Sequence, residues 1–243
     1  MKSSTSCVAY KRVLLKLSGE ALKGKQDSGI DVETADRLVS QIKDVVDLGV
    51  ELALVVGGGN IFRGIDASKT GSLDRVTGDH MGMLATVING LALQNMLENK
   101  GVPARVQSAL DMTKVTESYV YRKTRKYLAK RKVVIFVAGT GNPFFSTDTA
   151  AALRASEIGA DVLMKATKVS GVYSDDPVTN PDAEFYPELT YSDVLSKRLR
   201  VMDSTAISLS MDNKIPILVF NIAESDSIKK AVLGEQVGTI IRG

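Results

Sequence analysis

Short apolar runs alternate along the chain with longer segments whose apolar residues recur at helical spacing. The runs at 13–17, 51–56 and 133–138 each end at a serine or glycine turn, which predicts buried strands. Helical spacing over 38–46 and 79–99, followed each time by a glycine, predicts two helices. Weaker patterns predict further strands at 104–106, 161–164, 217–221 and 237–241, and further helices at 117–130, 148–158 and 226–233.

This alternation of strands and helices predicts an α/β protein, a three-layer sandwich with a mainly parallel central sheet. Sheets of this kind bind ligands at the carboxyl ends of their strands. No repeat, low-complexity tract or linker divides the 243 residues. We therefore predict a single domain over 1–243, in which 1–9 form a disordered tail.

Composition excludes several classes of protein. Hydrophobic residues make up 44% of the chain and charged residues 24%, close to a soluble globular average, so global disorder is excluded. A net charge of +3 is too small for a protein that coats nucleic acid. The absence of tryptophan also argues against stacking platforms for single strands. No nucleic-acid partner is expected.

The chain also lacks the sequence features of membrane and secreted proteins. No run approaches the ~20 apolar residues that span a bilayer, and the start has no apolar core of a secretory signal. We therefore expect no membrane association and a cytoplasmic location. Cys7 is the single cysteine and cannot form an internal disulfide, and with His80 as the single histidine no zinc site is expected.

Three glycine-rich turns follow three separate predicted strands. They are Ser18-Gly19, Gly57–Asn60 and Gly139–Asn142. Glycine lets backbone N–H groups approach a phosphate closely. Because the three strand ends meet at one edge of a parallel sheet, we expect these turns to line one anion-binding cleft.

Two common phosphate-binding motifs do not fit these turns. The segment Gly19–Lys25 matches the start of a P-loop, but Gln26 stands where the loop needs a serine or threonine for Mg²⁺. The segment Gly139–Phe144 lacks the third glycine of the dinucleotide-binding fingerprint. Neither a P-loop nor a dinucleotide site is predicted.

Three charged residues beside these turns are candidates for chemistry. Lys16 interrupts an apolar strand, where a lysine is costly to bury without an anion; the alternative is an edge-strand lysine facing solvent. Arg63 can grip a phosphate with two hydrogen bonds, or it is a loop arginine on the surface. Asp79 opens a predicted helix and could be only its N-cap. Asp148 is the predicted N-cap of a later helix.

Four motifs together resemble the uridylate kinase branch of the amino acid kinase family in bacteria. They are Lys16–Leu22, Gly57–Gly64, Gly78–Met83 and Gly139–Asp148, and a fifth segment, Lys165–Pro177, is similar to the family's nucleotide-binding segment. The resemblance runs from about Tyr10 to the C-terminus. It implies an amino acid kinase-like fold.

The resemblance implies an enzyme of pyrimidine nucleotide biosynthesis that reversibly transfers the γ-phosphoryl group of ATP to UMP, giving ADP and UDP. Mg²⁺ would be bridged by the nucleotide phosphates, with no metal ligand from the chain. The implied ATP-binding residues are Lys16, Leu17, Ser18, Gly19, Gly59, Arg63, Thr167, Tyr173 and Asp176. The implied UMP-binding residues are Gly58, Asp79, Thr140, Gly141, Asn142, Pro143, Phe144, Phe145, Ser146 and Thr147.

The resemblance also implies the catalytic set Lys16, Arg63, Lys165 and Asp203. Lys165 would be the second phosphate cation and Asp203 the carboxylate that organises it; their alternatives are a strand-end lysine and a helix N-cap. Phosphoryl transfer needs charge neutralisation more than a general base, which suits a chain with one histidine.

A homohexamer, activation by GTP and inhibition by UTP are further implications of the family. The segment at the position of the GTP-response loop consists of Gly24, Lys25, Gln26, Asp27, Ser28 and Gly29. Two other functions stay open on the sequence alone. One is an amino acid kinase with a carboxylate acceptor, and the other is a nucleotide sensor or storage protein without enzymatic activity.

Overall fold

A computed structural model describes residues 8–62 and 73–243 of the chain. Its strands are β1 (Arg12–Leu17), β2 (Glu51–Val56), β3 (Ala104–Ser108), β4 (Glu117–Ser118), β5 (Val133–Val137), β6 (Val162–Thr167), β7 (Val172–Tyr173), β8 (Phe185–Tyr186), β9 (Glu188–Thr190), β10 (Ile217–Asn221) and β11 (Thr239–Arg242). Its α-helices are α1 (Val32–Asp47), α2 (Arg75–Asn99), α3 (Tyr121–Ala129), α4 (Thr147–Ile158), α5 (Tyr191–Ser196), α6 (Ser204–Asp212) and α7 (Ser227–Leu233). Cys7 and Arg63 lie outside the described residues.

Nine strands form one sheet in the order β4-β3-β5-β2-β1-β6-β10-β11-β9. Within the described part of the chain, all neighbours in this sheet pair in parallel except β10 and β11. The remaining two strands, β7 and β8, form an antiparallel ribbon. The predicted mainly parallel α/β sandwich is therefore confirmed, and β1 lies near the middle of its sheet.

The two faces of β1 belong to two separate core layers. Val13, Leu15 and Leu17 pack with α1, α2 and α7, while Leu14 packs with α3, α4 and α6 on the other face. Successive side chains of a strand point to opposite faces. Lys16 therefore shares the face of Leu14 and points towards α4, at the carboxyl end of the strand.

Most predicted elements are confirmed within a few residues, and the differences have local causes. Residues 117–118, expected at the start of a helix, pair with β3 instead, so α3 begins at Tyr121. Asp74 rather than Asp79 caps α2, accepting a hydrogen bond from the Thr77 N–H at 3.0 Å. The alternative that Asp79 is merely an N-cap is therefore wrong.

Two residues of the predicted disordered tail are held against the core. The Ala9 N–H donates to the Val232 carbonyl at 3.0 Å, and Val8 packs against the same core layer as α7. Residues 8 and 9 are therefore held in place, and residues 1–7 of the predicted tail lie outside the described residues. In the described ranges, no helix is long and apolar enough to cross a membrane.

Candidate active site

Lys16 and Lys165 lie side by side at the carboxyl ends of β1 and β6. The two residues stand opposite each other in the parallel pairing of β1 with β6, and both side chains point to the α4 side of the sheet. Asp148, in the first turn of α4, binds both: Oδ1 lies 2.8 Å from Lys16 Nζ and Oδ2 lies 2.7 Å from Lys165 Nζ. We call these three residues the lysine–aspartate cluster.

Burial makes the charges of this cluster depend on one another. Burial alone would raise the pKa of Asp148, but the two ammonium groups outweigh that effect and hold its pKa below the ordinary value. Burial lowers the pKa of Lys165, and the Asp148 carboxylate opposes this change. Asp148 is therefore ionised at neutral pH. With both lysines charged, the cluster carries a net charge of about +1, which favours an anion in front of it.

Lys16 is only 8% exposed, so it is not a solvent-facing lysine on an edge strand. Lys165 also donates a hydrogen bond to the Val201 carbonyl. Lys165 donates one N–H to Asp148 and a second to the Val201 carbonyl, so its third N–H is available to a ligand. Both lysines line a cleft of about 370 Å³, here called the lysine cleft, together with Ser18, Thr167 and Lys168.

Asp148 was predicted as a helix cap, and the structure gives that position to Ser146. The Ser146 hydroxyl accepts the N–H groups of Asp148 and Thr149, at 2.9 and 3.3 Å, which frees the Asp148 carboxylate to face the lysines. Two lysines buried at the carboxyl ends of neighbouring strands require a buried anion. That requirement indicates a nearby carboxylate, and the packing of α4 against β1 selects Asp148.

Asp203, expected to organise Lys165, occupies a different position. Its carboxylate accepts hydrogen bonds from the hydroxyls of Ser146 and Thr149, the latter at 2.8 Å, and from the Ala206 N–H at 2.8 Å. Asp203 thus caps α6 and fastens it to the start of α4. The carboxylate that contacts the lysines directly is Asp148, whereas Asp203 acts on Lys165 only through its charge, and its organising role stays a prediction.

The first two glycine turns are packed against each other backbone to backbone. The Gly57 N–H donates to the Leu17 carbonyl at 2.9 Å. The side chain of Leu17 is fully buried. A β-carbon on Gly19 would lie 2.9 Å from the Gly57 carbonyl and the Gly59 nitrogen. Any side chain at Gly19 would therefore push the two turns apart, which explains the glycine there.

A second cleft of about 340 Å³, the α2 cleft, lies between α2 and the turn that precedes α4. Seven of the residues predicted to bind UMP or the ATP phosphates line it: Gly58, Gly59, Asp79, Phe144, Phe145, Ser146 and Thr147. Four others, Thr140, Gly141, Asn142 and Pro143, lie in the neighbouring turn and do not line it. Thr140 and Asn142 bond to each other instead, with the Asn142 N–H 3.2 Å from the Thr140 hydroxyl.

Asp79 is held by two partners in the α2 cleft. Arg75 Nε lies 2.9 Å from both carboxylate oxygens, and the Phe144 N–H donates to Oδ2 at 2.7 Å. Phe144 has a φ of +71°, an uncommon conformation for a non-glycine residue. The carboxylate therefore fixes the turn that carries Phe144. Arg75, which the sequence analysis missed, also lines the cleft.

One face of α2 fastens the surrounding loops through short polar side chains. The Thr86 hydroxyl accepts the Ala138 N–H at 2.7 Å and is itself fully enclosed. Seven residues separate Thr86 from Asp79, or about two helical turns, so both lie on the same face. The strand end at Ala138 and the turn at Phe144 are thus held by a single rigid helix.

A third cleft, of about 400 Å³, lies beside the β7–β8 ribbon and is called the ribbon cleft. The predicted nucleotide-binding residues Thr167, Tyr173 and Asp176 line it together. Arg198 and Arg200 line it as well and were not predicted. Thr167 lines both the ribbon cleft and the lysine cleft, so the two clefts adjoin at this residue.

The segment 24–29 lies on the surface beside the second glycine turn. Its residues 24–28 are exposed, and Gly29 is hydrogen-bonded to Asn60, with the Gly29 N–H 2.8 Å from the Asn60 carbonyl. The predicted regulatory segment therefore contacts the loop that carries Gly57–Gly59.

The described residues fit a magnesium ion that arrives on a nucleotide. Mg²⁺ prefers oxygen ligands and usually combines one or two carboxylates with water and phosphate. The carboxylates of Asp148, Asp203 and Asp79 already have their oxygens engaged by lysines, by an arginine, and by hydroxyl and N–H donors. The phosphate oxygens of the ligand would therefore hold the ion.

Comparison with known proteins agrees with this geometry. Residues 11–221 match the amino acid kinase family. The chain is 56% identical to the uridylate kinase of Methylococcus capsulatus over 232 residues, which cover 96% of this chain and 97% of that protein. The UMP kinase structure from Bacillus anthracis has a TM-score of 0.92, 39% identity and 96% coverage of both chains. That from Ureaplasma parvum has a TM-score of 0.90 and 39% identity, covering 96% of this chain and 99% of the other.

Proposed function

We propose, from the premise that this chain belongs to the amino acid kinase family, that it transfers the γ-phosphoryl group of ATP to UMP. The observation that carries the proposal is the position of the lysine–aspartate cluster. Thr147 and Thr149, on either side of Asp148, line the α2 cleft, while Lys16 and Lys165 line the lysine cleft. Two clefts that adjoin one positive cluster suit two anionic substrates.

In this reaction a phosphate oxygen of UMP attacks the γ-phosphorus of ATP, and the bond from that phosphorus to the bridging oxygen of ADP breaks. The UMP phosphate is already ionised at neutral pH, so no general base is needed. Lys16 and Lys165 face the oxygens on which negative charge develops. Asp148 holds the two ammonium groups next to each other, where they would otherwise repel. Bound Mg²⁺ would add neutralising charge on the phosphate oxygens.

The three clefts support a placement for the rest of each substrate. We place UMP in the α2 cleft, with Asp79 near its ribose, and the adenosine of ATP in the ribbon cleft, with its phosphates in the lysine cleft. Thr167, shared by the last two clefts, lies where the adenosine and phosphate parts join. Arg63, implied as a further phosphate ligand, lies outside the described residues and stays a prediction.

Release of ADP on mixing the protein with ATP and UMP tests the proposed activity. We expect turnover with UMP and none above background with acetylglutamate or aspartate, measured in a coupled assay at equal concentrations. Turnover with a carboxylate acceptor alone would favour another kinase of the family. Binding of both nucleotides without ADP release would favour a sensor or storage protein.

Asp148→Asn is expected to destabilise the fold, because it leaves two buried lysines without a counter-charge. We expect a loss of about 3 kcal/mol in the free energy of unfolding at neutral pH. The lowered pKa of Asp148 means that its stabilisation is present above the ordinary carboxyl value of 3.8 and disappears as the pH falls through the folded-state pKa. The difference between wild type and variant should therefore shrink below pH 3.8.

Urea unfolding at neutral and acidic pH measures this difference. The matched control is Asp47→Asn, which removes an exposed ion pair with Lys43 on α1 and should cost less than about 1 kcal/mol. Equal losses in the two variants, or a loss for Asp148→Asn that does not change with pH, would contradict the proposed charge balance.

We also propose that the chain assembles with itself, as the homohexamer implied by the family. The supporting feature is an exposed apolar stripe on α2, formed by Met81, Leu84 and Ile88, which are 37%, 45% and 51% exposed. Their spacing of three and four residues places them on one face. Sedimentation of the full chain measures the assembly state; a monomer at all concentrations would overturn the proposal.

We propose GTP as an activator on the position of segment 24–29, and UTP as an inhibitor on the family resemblance alone. The last residue of this segment, Gly29, is hydrogen-bonded to Asn60, next to the turn that faces the α2 cleft. The ADP-release assay, repeated with added GTP or UTP, tests both effects. The cytoplasmic location stays a prediction from the sequence.

A further inference from the structure

Asn60 and Asn89 form a buried amide pair that none of the roles above uses. Asn89, on α2, is fully buried, and Asn60, which ends the second glycine turn, is 2% exposed. Asn89 Nδ2 donates to Asn60 Oδ1 at 2.7 Å, and Asn60 Nδ2 donates back to Asn89 Oδ1 at 3.0 Å. Two amides that bond to each other in this way hold both side chains in one orientation.

Two backbone carbonyls complete the pair and fix its direction. Asn89 Nδ2 also donates to the Gly57 carbonyl, and Asn60 Nδ2 to the Gly29 carbonyl, each at 2.8 Å. A carbonyl can only accept, so neither amide can be turned around. All four N–H groups of the two amides have partners. Buried polar networks that are fully satisfied in this way confer rigidity.

The pair lies where four segments of the chain meet. It binds α2, the Gly57–Gly59 turn and the end of segment 24–29 through the contacts above. The fourth segment is the first glycine turn, since a β-carbon on Gly19 would lie 2.4 Å from Asn60 Oδ1. The amide therefore sets how closely Gly19 can approach the second turn.

We infer that Asn60 and Asn89 are positioning residues for phosphoryl transfer, an inference that rests on the proposed function. Gly19 lies on the side of the phosphoryl donor, ATP, and Gly58 on the side of the acceptor, UMP. The asparagine pair therefore sets the relative placement of the two reacting phosphates. It touches neither cleft itself, since neither residue lines one of the three clefts described. Its contribution is alignment between donor and acceptor, not affinity for either nucleotide.

Asn89→Ala is expected to lower kcat by about 10- to 100-fold, because a displacement of about 1 Å between reacting groups can cost 10²-fold. The KM values for ATP and UMP should stay within about threefold of wild type, since most contacts to each nucleotide remain. Asn60→Ala should have the same effect. Because the two amides act as one unit, the kcat of the double variant should lie no more than about threefold below that of either single variant.

The matched control is Gln107→Leu, which removes another fully buried amide. Gln107 lies on β3, and its side-chain oxygen accepts a hydrogen bond from the Thr124 hydroxyl. This variant should lower the melting temperature with kcat unchanged. Asn89→Leu supplies a variant of similar volume that neither donates to the Gly57 carbonyl nor accepts from Asn60, and it buries no charge. It should retain the fold and show the same loss of kcat as Asn89→Ala.

The outcomes distinguish failure of the alignment role from failure of the proposed function. If wild-type protein releases no ADP from ATP and UMP, the proposed function fails, and the alignment role fails with it. If wild type is active and the asparagine variants match the Gln107→Leu control in kcat, the pair is structural only. Additive losses in the double variant, or a selective rise in one KM, would also overturn the inference.

Discussion

Lys16→Ala is expected to lower kcat by at least about 10²-fold, the scale for loss of one electrostatic contact in a transition state. The alanine removes one of the two ammonium groups of the lysine–aspartate cluster. It also leaves Asp148 paired with Lys165 alone, so the cluster would fall from a net charge of about +1 to about zero. The KM for UMP should change little, because the α2 cleft is lined by other residues.

Steady-state kinetics with ATP and UMP at saturating concentrations measures this effect. Lys43→Ala is the matched control, since Lys43 pairs with Asp47 on the surface of α1, away from the three clefts. That variant should keep wild-type turnover. A Lys16→Ala enzyme within about threefold of wild type would show that the assignment of Lys16 is wrong.

The second large effect concerns the choice of acceptor. A carboxylate repels phosphate but can accept hydrogen bonds from ribose hydroxyls, so Asp79 should read the ribose of UMP. A site built to bond a hydroxyl penalises the analogue that lacks it, because a buried acceptor is left unpaired. We therefore expect dUMP to be a much poorer acceptor than UMP. In Asp79→Ala both should be poor, and the preference should largely vanish.

The measurement is kcat/KM for UMP, dUMP and CMP with both proteins. Asp79 also holds the Phe144 N–H, so the variant will disturb the turn, and the UMP-to-dUMP ratio is more informative than either rate. An unchanged ratio would mean that the ribose is held elsewhere. Asp47→Ala controls for loss of an exposed helical carboxylate. CMP should be rejected by both proteins if the uracil ring is bound by Thr147, which lines the α2 cleft, and by Thr140 and Asn142 in the neighbouring turn.

The sequence predicted the parts of the site that depend on local pattern. Lys16 could be identified because a lysine in an apolar strand needs an anion, and the glycine turns because they follow strands directly. The first and second turns do meet, as their packing at Gly19 shows. These features need only the chain order and the known geometry of a parallel sheet.

The rest depended on register and on distant contacts. Ser146 and Asp148 are both good caps, and only the position of α4 against β1 decides which of them faces the lysines. The capping box of Thr190 and Asp193 forms α5, a helix too short to show helical periodicity. The pairing of Asn60 with Asn89 joins two elements whose contact no local pattern indicates.

The two faces of α2 constrain how this enzyme can change over evolutionary time. Met81, Leu84 and Ile88 lie on its outer face, while Asp79, Thr86 and Asn89 hold three loops from the inner one. A helix turns as a rigid rod, so in the proposed assembly any substitution that rotates the outer face against a neighbouring subunit would also move all three loops. Drift at that proposed assembly surface would therefore be coupled to the proposed acceptor choice. Lineages that alter one would need compensating changes in the other.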